Sequence, residues 1–221
     1  DNLPLIEDVF RIIEILKSMG AEISWKGERC IKIKNSDIQP DKVRDDLIKL
    51  LRGSILLFGP LLARFGEVAF PRPGGCVIGA RPIDVHWDGF QQLGVRVAKE
   101  DNKYALRGKC MGGQAVLNEF SVTATENLML FAALSPKKTV IKIADQDYQV
   151  QELAAFLQKM GVNIKGAGTH QIIIKGRKQL SGAKHRLMSD PIEAGTFILT
   201  AAAAKGDVLV KNVPVGFLRP S

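Results

Sequence analysis

Cys76 sits in a glycine-rich run, Pro73-Gly74-Gly75-Cys76-Val77-Ile78-Gly79-Ala80-Arg81-Pro82-Ile83-Asp84-Val85-His86, so a thiol, a guanidinium, a carboxylate and an imidazole crowd into one short stretch. Glycines on both sides of the cysteine let the backbone approach a ligand closely, while Pro73 and Pro82 stiffen the ends. A cysteine reacts as thiolate, and Arg72 and Arg81 nearby would favour that form. The same thiol could donate a proton near neutral pH. The plainer alternative is a small buried hydrophobe in a turn. Cys30, in a strand-like run, and Cys110, in a polar turn, read as structural.

Composition limits what such a loop could serve. The chain has 221 residues, 46% hydrophobic and 24% charged, in the range of a soluble globular protein with one large domain or two small ones. The apolar run from Ile55 to Ala63 is broken by Gly59 and Pro60 and is too short to span a bilayer, so no membrane partner is expected. Three irregularly spaced cysteines argue against a disulfide framework or a zinc site. The three histidines are scattered without ligand spacing, so neither metal nor cofactor is expected. There is no secretory signal, and the cytoplasm is the simplest compartment. The net charge of +8 points to an anionic partner, either nucleic acid or a phosphorylated small molecule. Aromatic residues make up only 6% and do not interleave with the basic ones, which favours the small anion over nucleic acid. The start at Asp1 and the stop at Ser221 read as those of an interior piece of a longer protein.

The elements that must position the loop come from a repeat. Met19-Gly20-Ala21-Glu22-Ile23, Leu93-Gly94-Val95-Arg96-Val97 and Met160-Gly161-Val162-Asn163-Ile164 share one pattern at intervals of about seventy residues. Val9, Ile12, Ile13, Leu16 and Met19 recur at helical spacing before the first glycine, and Leu153, Phe156, Leu157 and Met160 before the third. Strand-like runs follow at Cys30–Lys34, Tyr104–Arg107 and Ile172–Lys175. A second helix and strand close each unit: 54–65 into 67–70, 126–134 into 139–143, and 193–204 into 207–210. A unit of helix, two strands, helix and strand cannot bury both helices alone. Packing the helices of several copies inside a ring of sheets can, and the apolar second helices, including Phe197 to Ala204, are expected to be interior. The fold class is therefore α+β.

Four blocks carry a resemblance to a known family. Arg52-Gly53-Ser54-Ile55 with Gly59 to Gly66, the Cys76 loop, Ser121-Val122-Thr123-Ala124-Thr125-Glu126-Asn127, and Asp190-Pro191-Ile192-Glu193-Ala194-Gly195-Thr196-Phe197 resemble the UDP-N-acetylglucosamine 1-carboxyvinyltransferases. These are enolpyruvyl transferases. The resemblance implies an inside-out α/β barrel, with residues 1–188 forming most of one barrel and 189–221 beginning a second. It implies transfer of the enolpyruvyl group of phosphoenolpyruvate to the 3′-hydroxyl of UDP-N-acetylglucosamine with release of phosphate. Cys76 matches the catalytic cysteine that fosfomycin alkylates. Arg81, Pro82, Ile83, Asp84 and Val85 match the segment holding the nucleotide sugar. Arg52 matches an arginine near the substrates, and Ser121 and Val122 match positions at the diphosphate. His86 is read as a packing residue and Asp84 has an alternative role as a helix cap.

The sequence also departs from that family. Thr123 replaces a glycine, residues 145–150 replace an Arg-Glu-Pro-Glu-Ile segment, and Pro191 replaces an arginine. Members of that family carry a lysine-asparagine pair upstream of the first repeat, which the residues here do not include. Two other readings follow from these changes: a UDP-sugar-binding paralogue without turnover, and a transferase like enolpyruvylshikimate phosphate synthase, which lacks the cysteine signature. An RNA 3′-terminal phosphate cyclase, built on a related repeat, is disfavoured by the Cys76 block.

Overall fold

The helix ends in the three repeats share one backbone solution. In the computed structural model, which describes residues 1–74 and 82–218, α1 (Glu7–Ser18) ends at Gly20, whose φ is 100°. The Gly20 N–H donates to the Lys17 carbonyl at 2.9 Å and the Ala21 N–H to the Leu16 carbonyl at 3.0 Å. These paired bonds satisfy the last carbonyls of the helix in a Schellman motif, which needs a left-handed residue at its turn. The same pair recurs at Gly94, which donates to the Gln91 carbonyl while Val95 donates to that of Phe90, and at Gly161, which donates to the Gln158 carbonyl while Val162 donates to that of Leu157. The repeated glycine is therefore a stop signal that aims each helix into the strand after it.

The remaining elements alternate as the repeat predicts. β1 (Glu22–Gly27) and β2 (Cys30–Lys34) form an antiparallel hairpin, followed by α2 (Asp45–Leu50). A 3-10 turn over Arg52–Leu57 runs directly into α3 (Phe58–Phe65) and then β3 (Glu67–Pro71). The sequence pattern predicts one helix from 54 to 65. The switch to α geometry comes only at Phe58, because Pro60 has no N–H to donate back into the preceding turn. The second unit holds α4 (Asp84–Gln92), β4 (Arg96–Glu100), β5 (Lys103–Arg107), β6 (Gly113–Val116), α5 (Val122–Ala132) and β7 (Lys138–Lys142). The third holds α6 (Tyr148–Lys159), β8 (Asn163–Lys165), β9 (Gln171–Lys175) and α7 (Pro191–Ala203).

Sheet pairing stitches the units together. The last strand of each unit joins the hairpin of the next, β3 antiparallel to β5 and β7 antiparallel to β9. β6 was not anticipated by the strand pattern; it runs parallel to β7, so its register depends on a strand far along the chain. The third unit also reaches back to the first. The Leu187 N–H donates to the Asp1 carbonyl at 3.0 Å, and the Asn2 amide donates to the Leu187 carbonyl at 2.9 Å.

Helices fill the interior and the sheets lie outside, the inside-out arrangement expected. Ala124, Leu128, Met129, Phe131 and Ala132 of α5 are buried, and so are Phe58, Leu61 and Leu62 of α3. Phe58 meets Trp87 edge-on at 5.0 Å and Phe90 meets Phe131 at 5.4 Å between ring centroids. Such edge-to-face contacts suit the opposed charge of ring face and ring edge.

Two expectations for the last unit need correction. Helix α7 forms, with Asp190 accepting from the Ile192 and Glu193 N–H groups and Pro191 in its first turn. It is not interior, however: Phe197 is 55% and Leu199 72% exposed, because no described element covers that face. No strand forms at 207–210 among the described residues. β3 and β7 each pair with the hairpin of the unit after their own, and among the described residues no hairpin lies beside 207–210.

Candidate anion-binding cleft

Arg52 opens the 3-10 turn, and its guanidinium donates to the Pro82 carbonyl at 3.1 Å. That bond ties the entry of one element to the entry of another, since Pro82 and Ile83 lead into α4. The turn itself is held from below by Ser54, whose buried hydroxyl lies 2.6 Å from the Leu51 carbonyl and 2.9 Å from that of Ile48. α5 begins beside them, with Ser121 as its N-cap accepting from the Ala124 N–H at 3.3 Å. Among the described residues the N–H groups of Val122 and Thr123 have no hydrogen-bond partner. Donors of this kind at the positive end of a helix favour a bound anion.

These entries enclose a cleft of about 280 Å³ lined by Arg52, Pro82, Val85, His86, Glu119, Ser121 and Thr123. Four of the residues singled out from sequence, Arg52, Pro82, Val85 and Ser121, thus meet in one place although they come from three segments. Ile83 is buried in the hydrophobic core, and Asp84 is exposed in the first turn of α4 without capping it. Val122 packs against the core from the start of α5. Cys76 and Arg81 lie outside the described residues.

The floor of the cleft is a buried polar network that the sequence reading missed. His86, only 1% exposed, places Nε2 3.3 Å from Thr123 Oγ1 and Nδ1 3.0 Å from the Asn127 amide nitrogen. Asn127 also donates to the Ile55 carbonyl at 2.9 Å and accepts from the Gly59 N–H at 2.9 Å. Burial, and after it the Arg52 charge, push the His86 imidazole down to about 3, so it is neutral at physiological pH. Reading His86 as a packing residue captured its burial but not its hydrogen bonds. The signal available in sequence was that His86 and Asn127 each occur inside a block quoted for the resemblance.

A second buried group lies on the same helix. Glu126 is 9% exposed, and burial followed by the charges of Asp147 and Asp145 pushes its carboxyl up to about 7. Those two aspartates belong to the substituted 145–150 segment, where Asp147 caps α6 by accepting from the Tyr148 N–H at 2.6 Å. No group of three or more histidine, cysteine or acidic side chains among the described residues is arranged to hold a metal ion. No helix among them is long and apolar enough to cross a membrane.

Known proteins share this architecture. The family model described as EPSP synthase (3-phosphoshikimate 1-carboxyvinyltransferase) matches residues 1–220. The chain is 43% identical over 221 residues to UDP-N-acetylglucosamine 1-carboxyvinyltransferase 1 of Caldanaerobacter subterraneus subsp. tengcongensis, covering 99% of this chain and 52% of that protein. It is 42% identical over 214 residues to UDP-N-acetylglucosamine 1-carboxyvinyltransferase of Coxiella burnetii, covering 96% of this chain and 49% of the relative. The chain therefore spans about half the length of the curated relatives it matches. Among solved structures, the enolpyruvyl transferase NikO from Streptomyces tendae superposes with a TM-score of 0.72 at 19% identity, over 90% of this chain and 47% of that one. EPSP synthase from Acinetobacter baumannii superposes with a TM-score of 0.67 at 16% identity, over 89% of this chain and 45% of that one. With a family match along nearly its whole length and the same α+β architecture in both solved structures, this chain belongs to the EPSP synthase (3-phosphoshikimate 1-carboxyvinyltransferase) family.

Proposed function

We propose that this chain supplies one wall of the active site of an enzyme that moves the enolpyruvyl group of phosphoenolpyruvate to the 3′-hydroxyl of UDP-N-acetylglucosamine. The 3′-oxygen gives up its proton as it bonds to the central carbon of the enolpyruvate, the methylene carbon takes up a proton and later returns it, and the carbon–oxygen bond to phosphate breaks, so that the hydroxyl proton leaves with the phosphate. Both substrates are anionic, and the single observation that most supports the reading is the convergence of Arg52, Pro82, Val85 and Ser121 on one cleft at the start of α5. Guanidinium forks and helix-end N–H groups suit carboxylate and phosphoryl oxygens. In this reading Cys76 protonates the methylene carbon or assists product release. Arg52 and Arg81 hold anionic oxygens, residues 82–85 hold the nucleotide sugar, and Ser121 and Val122 face its diphosphate. The product would enter peptidoglycan synthesis in the cytoplasm.

The same proposal assigns residues 1–188 to this wall and 189–221 to the start of a second barrel. The uncovered apolar face of α7 and the twofold length of the relatives both support that division.

The test uses the full-length protein: phosphate release from phosphoenolpyruvate with and without UDP-N-acetylglucosamine, then fosfomycin treatment and mass mapping. Release that requires the nucleotide sugar and is blocked by an adduct on Cys76 is the expected result. Binding of the sugar without release would replace the proposal with a non-catalytic paralogue. Release that requires shikimate 3-phosphate instead would place the chain with the synthases.

A further inference from the structure

Three contacts decide where the His86 proton lies. The Asn127 amide cannot be turned over, because its oxygen accepts from the Gly59 N–H at 2.9 Å and its nitrogen donates to the Ile55 carbonyl at 2.9 Å. That nitrogen therefore presents its second hydrogen to His86 Nδ1 at 3.0 Å, and Nδ1 must accept. In a neutral imidazole the remaining proton then sits on Nε2, which faces Thr123 Oγ1 at 3.3 Å. The threonine oxygen accepts, and its own hydrogen stays uncommitted. Thr123 Oγ1 makes no other hydrogen bond among the described residues, and Thr123 lines the cleft. Glu119 lines the same cleft, is exposed, and makes no hydrogen bond to Thr123.

We infer that Thr123 is a ligand-binding residue whose hydroxyl, oriented by His86 and Asn127, donates a hydrogen bond to a phosphoryl oxygen of the molecule occupying the cleft. The inference rests on the reading above for the identity of that molecule. The phosphoryl group comes either from the nucleotide diphosphate or from phosphoenolpyruvate. His86 and Asn127 are positioning residues, since they act only through the orientation of the hydroxyl. A threonine here adds a side-chain donor to the backbone N–H groups of Val122 and Thr123, on the same side as the Arg52 guanidinium.

The experiment compares Thr123→Val, which keeps the branched shape and loses the hydroxyl, with Thr123→Ser, which keeps the hydroxyl, in the full-length protein. Calorimetric titration with UDP and UDP-N-acetylglucosamine runs beside steady-state kinetics, with thermal melts to compare folding. A lost hydrogen bond to a charged oxygen corresponds to weakening by about tenfold or more. If the diphosphate is the acceptor, Thr123→Val weakens UDP and UDP-N-acetylglucosamine alike, and Thr123→Ser restores binding. If phosphoenolpyruvate is the acceptor, its KM rises instead and UDP binding is unaltered. Unaltered affinity for both in Thr123→Val, or a serine variant as weak as valine, overturns the inference.

A wild-type protein with no UDP-N-acetylglucosamine-dependent phosphate release overturns the functional reading separately. Nitrogen NMR of His86 tests the geometry whatever the activity. A proton on Nε2 whose resonance moves in Thr123→Val supports the inference, and a proton on Nδ1 removes its basis.

Discussion

Gly59 in the first turn of α3 donates its backbone N–H to the side-chain oxygen of Asn127 on α5 at 2.9 Å, with no side chain between the two helices at that point. A Cβ built on Gly59 would run into the Asn127 backbone carbonyl and come within 2.9 Å of its side-chain oxygen. The two helices are thus packed backbone to backbone where the polar network under the cleft is anchored.

Gly59→Ala is expected to destabilise the protein by about 3 kcal/mol, since buried backbone must move to admit the methyl group and the Asn127 bonds are strained with it. Urea unfolding followed by circular dichroism measures the loss. Asn127→Ala should cost a similar amount, about 2–4 kcal/mol, by stranding the Gly59 N–H and His86 Nδ1 in the interior. A change below about 0.5 kcal/mol in either variant would contradict the packing described.

The raised carboxyl of Glu126 makes a signed prediction about pH. Its ordinary value is 4.5 and its folded value about 7, so between those limits the folded protein holds a proton that the unfolded chain releases. Stability contributed by that proton is complete below about 4.5, is lost as pH rises towards 7, and stays lost above it. Glu126→Gln removes the effect and should be more stable than the wild type at pH 8 by on the order of 2–3 kcal/mol, with the difference disappearing near pH 4.5. Melting both proteins across that range gives the answer. His86 runs the opposite way: folded near 3 against an ordinary 6.5, it withdraws stability as pH falls below about 6.5. That contribution is common to both proteins and cancels in the comparison.

Arg52 offers a test of shape against charge. Lysine keeps the positive charge but loses the planar fork and, with it, the hold on the Pro82 carbonyl. Arg52→Lys in the full-length protein is expected to weaken phosphoenolpyruvate or inorganic phosphate binding about tenfold while leaving the melting temperature nearly unchanged. Affinity equal to wild type would show that the guanidinium does not touch the anion.

The exposed face of α7 should behave differently in this chain and in the whole protein. Phe197 and Leu199 lie on the uncovered side. Replacing both with aspartate should reduce self-association and hydrophobic-dye binding of the isolated chain, and should destabilise the full-length protein by several kcal/mol, roughly 3 or more, if that face is buried there. Light scattering and thermal melts distinguish the two. Equal melting of the full-length variant and its parent would mean that the face stays open to solvent.

Local backbone chemistry accounts for what could be read from residues alone. Gly20, Gly94 and Gly161 each follow an apolar helical stripe, and each adopts the left-handed conformation that stops a helix and aims the next strand. From those three positions and the period-two runs after them, the repeat, the α+β class and the helix-inside arrangement were legible. The motif blocks also pointed to Arg52, Pro82, Val85 and Ser121 before any of them was seen in one cleft. What remained hidden was pairing at a distance. His86 meets Thr123 across 37 positions and Asn127 across 41, and nothing in the local sequence says which polar side chains will be buried against each other. β6 is a strand only because β7 lies beside it, and 207–210 is not one because no hairpin lies against it among the described residues. A helix stop is written in one residue's freedom of φ, whereas a buried hydrogen bond or a sheet edge exists only when two distant segments arrive together.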